Sequence, residues 1–270
     1  MKTKLIDYVD NGPIFITGHV NPDGDALGSA FALKLFLDSQ NIISDVDFDI
    51  TTKLPSNLNH LPYHLISDDL KEKYNTVFVF DCGNSSRLGK YEEVVLAAEN
   101  VVVIDHHVDP SFGDVQIIDP HAASTTQVLF RQFKDENIEI NEEMANCLLT
   151  GLITDTGRFQ YSNTTSEVFS IAAELLGNGA NLSKISENIY GSIEFNALTL
   201  QSKIIERIVL NEDLQFAHSI VFQNDYKDYQ VEPEETDFLI DVVRLVKEST
   251  VALLINCLLY TSDAADEYSR

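Results

Sequence analysis

Residues 13–30 read PIFITGHVNPDGDALGSA, and this stretch holds a strand, a turn and the start of a helix in that order. The apolar segment PIFITGH (13–19) reads as a buried strand. NPDGD follows, rich in the Pro, Gly and Asp that turns favour, and a helix is predicted from Ala26 to Ser39 with the acidic Asp25 near its start. One imidazole, His19, and two carboxylates, Asp23 and Asp25, are thereby crowded into seven residues beyond a strand end.

The same alternation continues outward from this unit. DVDFDI (45–50) alternates acidic and apolar residues, as a half-exposed edge strand does. NTVFVFDC (75–82) and NVVVIDHH (100–107) are continuous apolar runs of the kind found in central parallel strands covered on both faces, and the helical segment LGKYEEVVLAAEN lies between them. A short strand is predicted at VQIID (115–119), then helices over 124–137, 141–157 and 166–180. After Gly191 a helical stretch, Glu194 to Asn211, reads as a connector. Beyond it come a strand at LQFAHSIVF (214–222), an acidic loop, a helix from about Glu234 to Glu248 and the apolar VALLI (251–255). The expected class is α/β: a parallel-sheet domain flanked by helices over 1–190, a connector over 191–213, and a smaller, incomplete α/β domain over 214–255.

Charge and composition narrow the function classes. Eighteen basic residues against 43 acidic ones leave a formal charge of −25, which repels long polyanions and argues against duplex DNA as a partner. A short anionic substrate remains compatible, because bound divalent cations invert the field locally. Cys82, Cys147 and Cys257 show no paired spacing, the opening MKTKLIDYVDNG lacks an apolar signal region, and VALLINCLLY (251–260) is too short to span a bilayer. The expectation is a cytoplasmic protein with no membrane partner.

The chemistry lies at the strand ends. His19, Asp81, Asp105, His106 and His107 each fall at or just past the carboxyl end of a predicted strand, the edge where open α/β sheets bind ligands. Carboxylates and imidazoles without thiolate suit manganese, magnesium, cobalt or iron better than structural zinc. With Asp155 from GLITDTG, the carboxylates Asp23, Asp25, Asp81 and Asp155 balance the charge of two divalent cations. Such a pair of ions, about 3.5–4 Å apart, can clamp a phosphoryl group and activate water. Plainer readings exist for single residues. An Asp after a strand is often a turn former or helix cap, Asp105 reads equally as a cap or as a partner that orients an imidazole, and His60, His64, His121 and His218 read as surface or structural.

At these residues the sequence resembles the DHH phosphoesterase superfamily, whose triplet stands here as Asp105-His106-His107, over most of residues 1–190. GHVNPDGDALGS is most similar to the enzymes that combine oligoribonuclease (nanoRNase) activity with 3'-phosphoadenosine-5'-phosphate phosphatase activity, and to related pApA or cyclic di-AMP phosphodiesterases. The resemblance implies that His19 and Asp23 hold one ion, that Asp25, His106 and Asp155 hold a second, and that Asp81 bridges both and is essential to catalysis. It further implies that His107 faces the scissile phosphate as hydrogen-bond donor or general acid, with Asp105 behind it, and that Asn21, Arg87 and Arg158 are weaker candidates for phosphate contact. The implied cofactors are two divalent cations, manganese first, with magnesium or cobalt as substitutes. The implied substrates are short RNA oligonucleotides or small nucleotides hydrolysed by a metal-activated hydroxide, and a homodimer is compatible with this reading.

Two rival readings stand beside it. Family II inorganic pyrophosphatases share the cradle but usually carry Thr at the position of Gly24, and a catalytically silent nucleotide-sensing module would keep the ligands for stability alone. The second domain resembles the family's companion domain but lacks its GGGH-type segment. The residues after Ile255, NCLLYTSDAADEYSR, do not continue the expected strands. They are read as a tail foreign to the native frame, so weak turnover is expected of the chain as written.

Overall fold

The structure is a computed structural model that describes residues 4–257 except 10, 11, 52, 109, 192, 232–235 and 237. The chain forms two compact units, Met1–Tyr190 and Gly191–Arg270. In the first, five strands make one parallel sheet: β1 (Ile14–Gly18), β2 (Ser44–Val46), β3 (Thr76–Phe80), β4 (Asn100–Asp105) and β5 (Val115–Ile118), in the order β2-β1-β3-β4-β5. Their side chains alternate between two cores. Ile14, Ile16, Phe78, Phe80, Val102 and Ile104 face one, while Phe15, Val77, Val79, Val101 and Val103 face the other. Continuous apolar runs are what a sheet covered on both faces demands.

The first core is roofed by α1 (Gly24–Ser39), α3 (Thr125–Asp135), α4 (Glu142–Asp155), α5 (Ser166–Gly177) and α6 (Leu182–Tyr190). The second lies under Tyr74, Leu88, Tyr91 and the short α2 (Glu92–Leu96). Helix α1 is buried on every side over its first turns, Asp25 and Ser29 included, between the sheet and α4. A Cβ on Gly24 would lie 2.7 Å from the Thr154 side chain, and one on Gly28 only 2.4 Å from the Cys147 carbonyl oxygen. The two helices therefore run past each other in opposite directions at close range, which carries the end of α4 to the start of α1.

Register sets the functional edge. Gly18 pairs with Phe80 and Phe80 with Ile104, so β1, β3 and β4 end level. The chain leaves β1 toward β2 on one side, while β3, β4 and β5 build outward on the other, so the order reverses between β1 and β3. Ligands bind beyond the carboxyl ends of strands at such a reversal.

Several elements differ from expectation. Strand β2 stops at Val46 rather than at residue 50, and its acidic side chains do not simply face water: Asp45 is buried against Lys71 and the Tyr74 hydroxyl, and Asp47 accepts from the Tyr91 hydroxyl. The helix expected over 88–100 is split into 3-10 turns within Ser85–Tyr91 followed by α2. Gly89 breaks it at φ +57, where a Cβ would lie 1.9 Å from an Asp49 carboxylate oxygen. Helix α6 has no counterpart among the expected elements.

In the second unit, helix α7 (Phe195–Glu206) is shorter than the connector helix expected to Asn211, because Val209–Asn211 forms strand β6 antiparallel to β7 (Phe216–Phe222). The stretch read as an acidic loop contains α8 (Gln223–Tyr229), started by Asp225, which accepts from the Phe222 amide and pairs with Arg207. Helix α9 (Leu239–Arg244) is shorter than the helix predicted from about Glu234 to Glu248, because residues 245–248 are turns and irregular chain, while 234, 235 and 237 lie outside the described residues. Strand β8 (Val251–Cys257) pairs parallel with β7 and continues through Asn256 and Cys257, opposite Val221 and Phe222; the rest of the stretch read as a tail, 258–270, lies outside the described residues. Among the described residues no helix is long and apolar enough to cross a membrane.

Candidate metal centre

Each strand end delivers one part of the site. His19 follows β1, Asp81 follows β3, and Asp105, His106 and His107 close β4. Asp23 caps α1, its Oδ1 accepting from the amides of Asp25 and Ala26 at 3.0 Å, so the turn reading and the site reading both hold for this residue. Asp155 ends α4. Asp81 takes a left-handed backbone, φ +54, a conformation that Asp tolerates better than most residues.

Asp81 divides its carboxylate. Its Oδ2 lies 3.6 Å from His19 Nε2, and that nitrogen is 3.8 Å from Asp23 Oδ1. Its Oδ1 lies 3.6 Å from His106 Nε2, which is in turn 3.2 Å from Asp155 Oδ2 and 4.0 Å from Asp25 Oδ2. Among the described residues two donor groups meet on these atoms, His19 with Asp23 and Asp81, and Asp25 with His106 and Asp155, and a third gathers Asp81, Asp105, His106 and His107. Both imidazoles turn the same way: Nδ1 faces a backbone carbonyl, Val20 at 2.9 Å for His19 and Ala122 at 3.4 Å for His106, which aims Nε2 into the carboxylates. That orientation is typical of metal-ligating histidines. Separations of this size mostly exceed hydrogen-bond length, and two ligands sharing an ion at about 2.0–2.2 Å stand about 3–4 Å apart.

His107 is arranged differently. Its Nδ1 is 2.7 Å from Asp105 Oδ1 and 3.3 Å from Asp81 Oδ1, and its ring is half exposed. Asp105 is fully buried, and the same Oδ1 also accepts from the amides of His106 at 2.6 Å and His107 at 3.0 Å. An oxygen so occupied orients His107, as the partner reading of Asp105 expects, while the other oxygen, Oδ2, is buried with no hydrogen-bond partner among the described residues.

The charge balance calls for cations. Burial and the nearby Asp155, Asp81 and Asp23 push the Asp25 carboxyl well above the usual range. Burial, with Asp23 and Asp81, raises Asp155 to about 6 even though His106 opposes the shift. Burial works against a charged His19, yet Asp23 and Asp81 outweigh it and raise this imidazole to about 10. His107 also rises to about 10, chiefly through Asp105 and then Asp81. Carboxylates crowded together and imidazoles holding extra protons are what an acidic cradle shows before cations neutralise it, so the donor set fits divalent metal.

Of the three phosphate-contact candidates, Asn21 and Arg158 have other side-chain partners, and the Arg87 side chain is exposed. Asn21 Oδ1 accepts from the Thr51 amide at 2.9 Å, Arg87 is exposed while its carbonyl accepts from the Val20 amide at 2.7 Å, and the Arg158 guanidinium lies 3.8 Å from the centre of the Tyr190 ring. His60 bonds Thr150 Oγ1 at 2.9 Å, His64 and His121 are exposed, and His218 stacks on Phe216; none of the four is a member of a donor group. Sequence reading missed the support beneath Asp25, whose two oxygens accept from the Thr125 and Thr126 amides at 2.6 and 2.9 Å, at the start of α3. The Ser-Thr-Thr run at 124–126 is a helix-start signal and so a legible anion site.

Comparison with known proteins decides the family. The DHH family, N-terminal domain, matches residues 13–152. This chain belongs to the DHH family. The bifunctional oligoribonuclease and PAP phosphatase NrnA of Thermus thermophilus is 31% identical over 253 residues, covering 90% of this chain and 72% of that protein. The probable manganese-dependent inorganic pyrophosphatase of Streptococcus thermophilus is 26% identical over 207 residues, covering 73% of this chain and 64% of that protein. Among solved structures, an exopolyphosphatase-related protein from Bacteroides fragilis superposes with a TM-score of 0.82 at 25% identity, covering 92% of this chain and 79% of that one. As a DHH protein with NrnA relatives, the chain is a phosphoesterase hydrolase.

Proposed function

We propose that this chain hydrolyses phosphoester bonds in short oligoribonucleotides or in 3'-phosphoadenosine-5'-phosphate, using two divalent cations, manganese first. The observation that carries the reading is the Asp81 carboxylate, whose two oxygens face two separate donor groups, one through His19 and one through His106, each at 3.6 Å. His19, Asp23 and Asp81 would hold one ion, and Asp25, His106, Asp155 and the other oxygen of Asp81 the second. Two bound cations would offset the charge of a phosphoryl group and make water acidic enough to attack it near neutral pH.

The chain's own residues supply the rest. With Nδ1 tied to Asp105, His107 presents Nε2 outward. It donates that proton to the departing oxygen as the phosphorus–oxygen bond breaks, and recovers one from solvent through its half-exposed ring. A short nucleotide enters such a site readily, whereas a long duplex meets a chain of formal charge −25.

The assay that tests this reading compares a ribodinucleotide, 3'-phosphoadenosine-5'-phosphate, pApA and pyrophosphate with manganese present. Mononucleotide or phosphate release from the nucleotides is expected to exceed phosphate release from pyrophosphate, and the reverse ranking hands the site to the pyrophosphatase reading. That rival keeps support from the Streptococcus thermophilus relative, and Gly24 weighs less against it than the residue type alone implies, because Thr154 fills the space a side chain at 24 would need.

Proton linkage gives a second check. His19 and His107, raised to about 10, are protonated at neutral pH in the metal-free chain, and an ion can take His19 Nε2 only after its proton leaves. Apparent manganese affinity is therefore expected to climb with pH from about 6 to about 9, with protons released on binding. Calorimetry in two buffers of different ionisation enthalpy counts them. Affinity that stays flat over this window contradicts the linkage.

A further inference from the structure

The second donor group takes Asp25 from α1 and His106 from the end of β4. Two further segments complete it: the end of α4, which carries Asp155, and residues 122–126 leading into α3, which contact His106 through the Ala122 carbonyl and Asp25 through the Thr125 and Thr126 amides. One side chain joins them. The Asn163 amide nitrogen donates to the Asp155 carbonyl at 3.1 Å and to the Ala123 carbonyl at 3.2 Å. Both neighbours are acceptors only, so the nitrogen must face them, and its two hydrogens are both used. The amide oxygen is buried and takes no hydrogen bond among the described residues, so the side chain is placed for its donors alone.

We infer that Asn163 is a positioning residue that fixes the half of the site built from Asp25, His106 and Asp155, and not the half built from His19 and Asp23. This inference rests on the two-cation reading. Its physical basis is that the α1–α4 packing brings the two carboxylates near each other, while the end of α4 and the segment that holds Asp25 through its amides keep their relative place through Asn163, which bonds the backbone of both. Its contacts lie on the backbone of Asp155 and of Ala123, one residue before the Ser124 cap of α3, whereas His19 and Asp23 belong to the β1–α1 turn.

The test is manganese binding to the full chain, wild type against Asn163→Ala and the equal-sized Asn163→Asp, which keeps the volume but has no donor for two carbonyls. Thermal melting of the metal-free proteins reports folding, and if the alanine variant does not fold, the aspartate variant carries the test. The expected result is a rise of about 10–100-fold in the dissociation constant of one ion while the other stays within about threefold, the scale seen when a ligand's orienting partner is lost. In electron paramagnetic resonance the coupled-pair signal should give way to that of an isolated ion at the same manganese concentration. Two ions bound with unchanged constants in a folded variant overturn the role of Asn163 while the two-cation reading stands. A wild type that binds no manganese fails the earlier reading instead.

Discussion

Asp81→Asn should reduce hydrolysis of the preferred nucleotide by on the order of 10³–10⁵-fold while the metal-free chain stays folded. The expectation follows from geometry. Among the described residues Asp81 is the one carboxylate that faces both His19 and His106, so neutralising it weakens both donor groups at once, where losing Asp23 or Asp155 weakens one. Asn is the right replacement because residue 81 sits at φ +54, which Asn accepts and Ala does not, and because its side-chain oxygen can still accept from the Thr125 hydroxyl, now at 3.2 Å. Burial opposes the charge on Asp81, and His107 and His19 sustain it, so the substitution removes a favourable pairing with the imidazoles and an unfavourable one with Asp25 and Asp155. These act in opposite directions on the metal-free fold, and a large change in its melting temperature is not expected. A variant that retains wild-type turnover, measured beside its manganese stoichiometry, would remove Asp81 from the chemistry. A wild type that never hydrolyses any of the four substrates would favour the silent module.

The strand ends were legible because a parallel sheet writes itself into the sequence twice. Runs such as VFVF (77–80) stay apolar up to the strand end, and the charged residue that follows, Asp81, falls on the ligand edge. That is why His19, Asp81 and the 105–107 triplet could be read as one constellation before any contact was known, and why the structure brings them together. Asp23, Asp25 and Asp155 were readable as acids at helix ends, but their meeting depends on how closely α1 passes α4, which shows locally only as Gly24 and Gly28. The supports beneath them were harder. Asn163 lies in an irregular stretch after Asp155, and nothing in its neighbours announces that it bonds Ala123, forty residues earlier. The missed elements have the same origin. Helix α8 begins where Asp225 meets Arg207, β6 exists because β7 lies beside it, and the 88–100 helix breaks at Gly89 because Asp49 occupies the space. Each depends on a contact with a segment outside the element itself, which local propensity does not contain.

One substitution made at two glycines should move stability in opposite directions, and the pair tests the packing that brings Asp155 to Asp25. At Gly28 an added methyl would sit 2.4 Å from the Cys147 carbonyl oxygen. That oxygen belongs to the backbone of α4 and cannot swing aside, so α1 and α4 must separate along a fully buried seam. Gly28→Ala is expected to cost about 1–3 kcal/mol or more, net of the helix propensity gained, out of a total that for most domains is about 5–15 kcal/mol. Gly177 ends α5, and a methyl there meets nothing within 4 Å. Gly177→Ala should therefore stabilise by up to about 0.5–1 kcal/mol, because it removes only the freedom of the unfolded chain. Urea midpoints of the two variants read the contrast directly. The site adds a further consequence: separating α1 from α4 draws Asp155 away from Asp25, so Gly28→Ala should also weaken manganese binding, and Gly177→Ala should not. If the two alanines shift the midpoint alike, or if Gly28→Ala binds both ions as the wild type does, then the close passage of α1 and α4 is not what assembles the second half of the centre.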